Sequence, residues 1–304
     1  MPLKQKVILD VDTGSDDAVA IIMTGHAAAL ELIAVTVTHG NGPLELTLQN
    51  TLKVMEAGGL AHVPVLAGAP RPLVRDLYPT RGQQRAELSL PEPSIVPGTE
   101  RAADFLRRHY MNGGDDTVLV PVAPLTNVAL ALMQEPALAH RIPRIVLMGG
   151  AVGAGNTTAS AEFNILADPE AARIVFNAGI PLTMIGLEVT AGACLNKTHS
   201  DEIRALGTRQ SGIVADLIDS DLTWAEEWGN DGVEVYDACA VAAVIDPSLV
   251  TTQLMHVDVE TQGMLTLGRT VCDTRRRAKS QPNVDAGLAL NRQRFLEILI
   301  ECLH

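Results

Sequence analysis

The chain has 304 residues, about twice a typical single-domain length, so length alone admits two modest domains or one large α/β domain. Hydrophobic residues make up 47% and charged ones 19%, a globular composition that excludes a disordered chain. Acidic residues outnumber basic ones 36 to 23, and the net charge of -13 argues against nucleic acid and anionic membranes as partners, because both would repel it.

Residues 6–11 read as a buried strand, with Val7, Ile8 and Leu9 contiguous and suited to a two-sided sheet. Asp16 and Asp17 then stand where a helix N-terminus favours carboxylates, ahead of the apolar run Ala18 to Ala29. A second strand, Leu32 to Thr38, ends at His39-Gly40-Asn41-Gly42, and a helix from about Leu46 to Ala57 follows. Short apolar strands at 63–66, 118–122, 145–148 and 182–185 alternate with helical patterns near 100–111, 125–135 and 168–178. This alternation predicts an α/β fold, a single open, mainly parallel twisted sheet with helices on both faces.

Beyond residue 198 the pattern is helical to about 246, with Trp224 and Trp228 on one face; they pack either in the helix core or against a ligand. Met255 to Glu260 and Met264 to Thr270 flank Thr261-Gln262-Gly263 and read as a β-hairpin. A last strand near 283–289 feeds a helix opened by Asn291. No linker or internal repeat interrupts the series, so 1–304 is expected to be one domain. The stretch 75–98, rich in proline and poor in structure signals, reads as a lid or binding loop.

Cys194, Cys239, Cys272 and Cys302 have no CxxC spacing, which argues against a zinc ribbon or a disulfide scaffold and for reduced, cytoplasmic thiols. The N-terminal apolar run is too short for a signal peptide, and the stretch Ala18 to Val37 is broken by His26 and Glu31, so no membrane span is expected. The basic cluster Arg275-Arg276-Arg277 with Lys279 reads as a solvated loop.

The chemistry concentrates in Asp10-Val11-Asp12-Thr13-Gly14-Ser15-Asp16-Asp17, four carboxylates in eight residues at the C-terminal end of the first strand, where open α/β sheets bind ligands. Such crowding needs protons or a cation, and hard oxygen donors suit calcium or magnesium; the plainer reading is a solvated acidic helix start. An Asp-x-Asp after a first strand also resembles haloacid-dehalogenase-like phosphatases. Those need a later lysine and a downstream acidic pair, and after Lys279 only Asp285, Glu297 and Glu301 remain. Gly149 to Gly155 lacks the GxGxxG spacing of a dinucleotide fingerprint and reads as a flexible site loop.

Three more segments accompany the aspartates: Pro124-Leu125-Thr126-Asn127, Met148 to Asn164 ending in Ala161-Glu162-Phe163-Asn164, and Tyr236-Asp237-Ala238-Cys239-Ala240. Together, over most of the chain, they resemble the inosine-uridine nucleoside hydrolase family, whose fold is Rossmann-like. The resemblance implies calcium-dependent hydrolysis of the N-glycosidic bond of small-molecule ribonucleosides to free base and ribose. It implies calcium held by Asp12, Asp17 and Asp237 with the carbonyl of Thr126, Asp10 supporting the cluster, and Asp12 taking the proton of the attacking water. Asp16, Asn41, Asn156, Glu162 and Asn164 are implied ribose contacts, with Met148, Phe163, Tyr236 and Trp228 completing the substrate set. A homotetramer or homodimer, and a place in nucleoside catabolism and purine salvage, follow from the same resemblance.

Two departures stand out. Many members carry a histidine before the last calcium aspartate, where this chain has Tyr236, a phenol with an ordinary pKa of about 10 and a poor acid. The usual histidine near residue 80 is replaced by Tyr78-Pro79-Thr80-Arg81-Gly82-Gln83. Stacking on Tyr236, helped by Trp224 or Trp228, favours purine nucleosides slightly; a pyrimidine-preferring hydrolase and a non-catalytic calcium-dependent nucleoside or sugar binder are the alternatives. His39 either reaches the site or is a satisfied loop histidine.

Overall fold

The computed structural model describes residues 3–79, 87–227 and 229–304. The first third runs β1 (Gln5–Val11), α1 (Ser15–His26), β2 (Leu30–Val37), α2 (Leu44–Ala57), β3 (Val65–Ala67) and α3 (Ala102–Met111). The middle contributes β4 (Thr117–Pro121), α4 (Thr126–Gln134), β5 (Ile145–Met148), α5 (Phe163–Ala167), α6 (Pro169–Phe176), β6 (Leu182–Ile185) and α7 (Leu187–Thr190). The last third holds β7 (Cys194–Leu195), α8 (Lys197–Arg204), α9 (Arg209–Glu227), β8 (Val233–Glu234) and α10 (Tyr236–Ile245). It closes with β9 (Val250–Met255), β10 (Val257–Val259), β11 (Thr270–Cys272), β12 (Val284–Leu290) and α11 (Arg292–Leu303).

Eight strands form one open sheet in the order β3-β2-β1-β4-β5-β6-β12-β9, parallel throughout except for β9 against β12. Alternate residues of β1 explain why helices cover both faces. Val7, Leu9 and Val11 enter one core with the apolar residues of α1 and α10, while Ile8 enters the other with Phe105, Leu106 and Tyr110 of α3. The strand order reverses between β1 and β4. Their carboxyl ends therefore open a crevice at the topological switch point, where such sheets bind ligands.

The helical stretch after 198 is interrupted. β8 pairs antiparallel with β7, Cys194 opposite Glu234 and Leu195 opposite Val233, and this short ladder delivers the chain to Tyr236. The expected hairpin is corrected in detail: β10 pairs with β11, Val257 opposite Cys272, across the long connection 260–269, so Met264 to Leu267 are not strand. The Glu260 carboxylate accepts from the N–H groups of Gln262 and Gly263, which organises a turn within the connection rather than a tight link between strands. Residues 250–255, unread in the sequence, form the antiparallel edge strand β9. The four cysteines are free, and among the described residues no helix is long and apolar enough to cross a membrane.

Asn127, at the start of α4 and fully buried, ties three segments together. Its Oδ1 accepts from the Ala69 N–H (2.8 Å), and its Nδ2 donates to Asp10 Oδ1 (2.8 Å) and to the Val37 carbonyl (3.2 Å). Truncation strands the Ala69 N–H, a buried orphan that costs about 1–3 kcal/mol, and removes the bonds to Asp10 and to the Val37 carbonyl, which keeps the Gly68 N–H (2.8 Å). Asn127→Ala is expected to lower unfolding stability by about 2–4 kcal/mol, read as a lower urea midpoint at unchanged slope; an unshifted midpoint would show the buckle to be dispensable.

Candidate active site

β1 ends at Val11, and three residues later α1 begins, so Asp12 stands in the turn and Asp16 and Asp17 in the first helical turn. Asp17 folds back over that turn. Its Oδ2 accepts from the Gly14 N–H (2.9 Å) and Asn41 Nδ2 (3.2 Å), and its Oδ1 from the Asp12 N–H (3.1 Å). The Asn41 N–H donates to Asp12 Oδ2 at 2.6 Å, which fixes that carboxylate. Gly40 is needed there because a Cβ would collide with the Asp12 side chain. Asp237 comes from the first turn of α10, and carboxylate oxygens of Asp16, Asp17 and Asp237 all lie within 4.8 Å of one another.

Burial is the first cause that raises the proton affinity of these carboxyls, and their mutual repulsion adds to it. Asp12 is raised by burial and by Asp17. Asp237 is raised by burial and by Asp16, Asp17, Asp12 and Glu162. Burial, Asp17 and Asp221 push Asp16 up to about 8. Asp10 lies beneath the cluster and outside the cavity. Its Oδ1 accepts from Thr36 Oγ1 (2.6 Å) and Asn127, its Oδ2 is buried without a hydrogen bond, and burial pushes it up to about 7. Hard, converging oxygens that repel one another when ionised are a donor set that fits a divalent cation.

The opposite wall comes from the loop after β5 and from α5. Glu162 caps α5: Oε1 accepts from the Asn164 N–H (2.8 Å), and Oε2 from those of Gly150 (2.9 Å) and Ile165 (3.1 Å). Asn164 Nδ2 donates to the carbonyls of Val122 (3.0 Å) and Met148 (3.2 Å), leaving its amide oxygen as an acceptor. Asn156 Oδ1 accepts from the Phe163 N–H and from Thr157 Oγ1, leaving its amide N–H groups as donors. The Tyr236 hydroxyl donates to Glu234 Oε2 at 3.0 Å, and burial with the Glu234 charge raises its proton affinity further.

Asp12, Asp16, Asn41, Met148, Asn156, Glu162, Phe163, Asn164, Tyr236 and Asp237 line one cavity of about 140 Å³. Thr126 is not with them. It opens α4 beside a separate cavity of about 590 Å³, where its hydroxyl donates to Asp168 Oδ2 (2.7 Å) and meets His39 Nε2 (3.1 Å). The residue lining the site from that segment is Val122, one step past β4, a position that the strand-end rule marks. His39 is buried and satisfied, held neutral by burial that lowers it to about 4. Trp224 is 40% exposed and therefore not in the core, while Trp228 lies outside the described residues. The sequence carried no signal for Asp221, whose carboxylate meets Ser15 Oγ at the start of α1.

The model of the inosine-uridine preferring nucleoside hydrolase family matches residues 7–297. The chain is 40% identical over 303 residues to a protein of Citrobacter koseri named as the pyrimidine-specific ribonucleoside hydrolase RihA, covering 98% of this chain and 97% of that one. An Escherichia coli protein of the same name is 39% identical over the same span. Among solved structures, a purine-preferring ribonucleoside hydrolase from Gardnerella vaginalis superposes with a TM-score of 0.91 at 33% identity, covering 98% of each chain. A match over nearly its whole length, on a fold whose switch point gathers the acidic cluster, means that this chain belongs to the inosine-uridine preferring nucleoside hydrolase family and is a nucleoside hydrolase.

Proposed function

We propose that the protein, acting as one domain, hydrolyses the N-glycosidic bond of ribonucleosides to free base and ribose with calcium as cofactor. The observation that carries this reading is the set of buried carboxylates converging at the crevice, a charge arrangement that hydration cannot relieve. Asp12, Asp17 and Asp237 would hold the ion, with the Val122 carbonyl in the place expected for Thr126 and Asp10 supporting from beneath. These residues would hold the ion where it could engage the vicinal ribose hydroxyls and lower the pKa of a bound water.

Asp12 acts as the base. Asn41 holds one of its oxygens, and among the described residues no hydrogen bond reaches the other, which is left for the proton of the attacking water. Asp16 and the Asn164 amide oxygen accept from ribose hydroxyls, the Asn156 amide donates, and Oε1 of Glu162 keeps an acceptor site. As the bond breaks, positive charge grows on the sugar, and these fixed carboxylates and amide dipoles stabilise it without reorganising. The Tyr236 hydroxyl is committed to Glu234 and is a weak acid, so its ring face is what it offers the base. A two-ring base gains more from that face, which favours purines slightly. The second reading, a pyrimidine preference, is favoured by the names of the relatives at 40% and 39% identity. Comparing kcat/KM for inosine and uridine separates the two.

The first test is release of reducing sugar from ribonucleosides. Asp12→Ala is expected to abolish it, and near-wild-type turnover in that variant would remove Asp12 as base. Asp237→Ala is expected to lose the ion by elemental analysis. Chelation should also destabilise the protein in a pH-dependent way. The cluster's folded pKa values lie above those of the unfolded chain, so the ion-free folded state binds the extra protons. Its stability therefore falls as pH rises from the ordinary carboxylate range near 4 to about 8, the value of Asp16. Melting in chelator at pH 5 and pH 8 should show this loss, and calcium should restore the pH 8 value; equal melting temperatures in chelator would refute it.

Ribonucleosides should be cleaved on the order of a thousandfold faster than 2'-deoxyribonucleosides, because Asp16 and the ion each lose a partner. Comparable rates on inosine and 2'-deoxyinosine would exclude this ribose geometry. For Tyr236 the expected pattern is a mild Tyr236→Phe and a severe Tyr236→Ala, a stack being worth about 1 kcal/mol. Equal damage in both would assign the role to the hydroxyl.

A further inference from the structure

Phe163 stands at the first position of α5 with its ring on the cavity, and what keeps that ring in place comes from a distant part of the chain. The Tyr78 ring meets it edge-on, with centroids 6.3 Å apart and planes at 80°, the favoured geometry for an aromatic pair. Tyr78 is itself fastened. Three residues earlier, Arg75 grips Glu170 of α6, Nε reaching its two carboxylate oxygens at 3.1 and 3.0 Å and Nη2 reaching Oε1 at 2.7 Å. The same Nη2 donates to the Thr261 carbonyl at 2.7 Å, adding the connection between β10 and β11. Two residues before Arg75, the Leu73 N–H donates to Asp168 Oδ2 at 2.9 Å. Residues 73–78 are thus clamped to 168–170, the segment that directly follows the helix carrying Phe163.

We propose that Tyr78 is a positioning residue for substrate binding, holding the Phe163 ring against the bound nucleoside, and that the Arg75–Glu170 fork sets its place. The inference rests on the nucleoside hydrolase reading above and concerns its specificity wall. Among the described residues neither Tyr78 nor Arg75 lines the cavity, and their partners are Phe163, Glu170 and Thr261, so Asp12 and the ribose-binding amides should keep their geometry when either is changed. A wall against the unreactive part of a substrate binds ground state and transition state alike, and its loss raises KM at constant kcat.

The test is steady-state hydrolysis by the calcium-loaded full chain, using whichever of inosine and uridine the wild type cleaves faster. Tyr78→Ala and Tyr78→Leu should raise KM about three- to tenfold with kcat within about twofold, the size expected for losing one aromatic edge contact. Tyr78→Phe should retain the wild-type KM, because the edge contact needs no hydroxyl. Arg75→Lys, which keeps the charge and loses the fork, should raise KM in the same direction. Adding Tyr78→Ala to Phe163→Ala should change KM no further. A KM within twofold of wild type in both Tyr78→Ala and Tyr78→Leu, a fall in kcat as large as the rise in KM, or additive effects with Phe163→Ala would overturn the proposal. A wild type that releases no ribose from any ribonucleoside would instead remove the reading beneath it, and this inference with it.

Discussion

Buried carboxylates that repel one another are the constraint on which the rest of this molecule turns. Asp12, Asp17 and Asp237 are each at most 2% exposed, so water cannot screen them; burial is the first cause that raises all three, and neighbouring carboxylates, Asp17 for Asp12 and Asp16 for Asp237 first among them, raise Asp12 and Asp237 further. The fold contains the repulsion with backbone dipoles. The Asp12 and Gly14 N–H groups point at Asp17, the Asn41 N–H points at Asp12, and both Asp16 and Asp237 sit in the first turns of helices whose macrodipoles favour negative charge. These dipoles hold the geometry without neutralising it. A divalent cation would complete the balance, which is why the cluster reads as a binding site and not as a solvated helix start.

Placing that cluster requires the topology as much as the residues. The reversal of strand order between β1 and β4 leaves a gap at their carboxyl ends, and α10 delivers Asp237 into it from more than 200 residues away in sequence. Three buried polar links underpin the floor of the gap: Asp10 to Thr36, Asp10 to Asn127, and Asn127 to the Ala69 N–H. Together they link β1 to β2, β1 to α4 and α4 to the segment after β3, so the turn carrying Asp12 rests on a network satisfied, among the described residues, except at Asp10 Oδ2. Polar groups at this depth are costly unless paired, and their pairing fixes one arrangement of the strand ends.

Much of this was legible along the chain. Val7-Ile8-Leu9 shows a two-sided strand because every position is apolar, and Asp16-Asp17 marks the helix start because carboxylates favour that end. What local patterns cannot carry is pairing between distant segments. The resemblance implied a carbonyl of Thr126, yet Thr126 opens α4 away from the cavity, and Val122, one step past β4, is the residue of that segment that lines it. Met264 to Thr270 reads as a strand, but the Thr266 N–H bonds the Gly263 carbonyl and the Arg269 N–H the Thr266 carbonyl, turns that leave pairing to begin only at Thr270. Arg75, Tyr78 and Asp221 carry no motif at all. Their partners are Glu170, Phe163 and Ser15, each at least 85 positions away, and only the folded chain brings them together.

On the proposed reading, a division between sugar and base follows from which elements supply each end of the site. Asp12, Asp16, Asn41, Glu162 and Asn164 stand at strand ends or helix starts, whose backbones are fixed by the sheet and its covering helices. Tyr236 is aimed by the two-residue ladder of β7 and β8, and Tyr78 by side-chain links to α6 and to the 260–269 connection. Tyr78 and Arg75 stand apart from the carboxylates in the chain, whereas Tyr236 directly precedes Asp237 and shares its helical turn. Proteins similar to this one bear the names pyrimidine-specific and purine-preferring, at 40% and 33% identity, and the second superposes on this chain over 98% of its length at a TM-score of 0.91. On the proposed reading, base preference would rest on aromatic rings aimed by side-chain links, and ribose recognition on carboxylates and amides held by the fold.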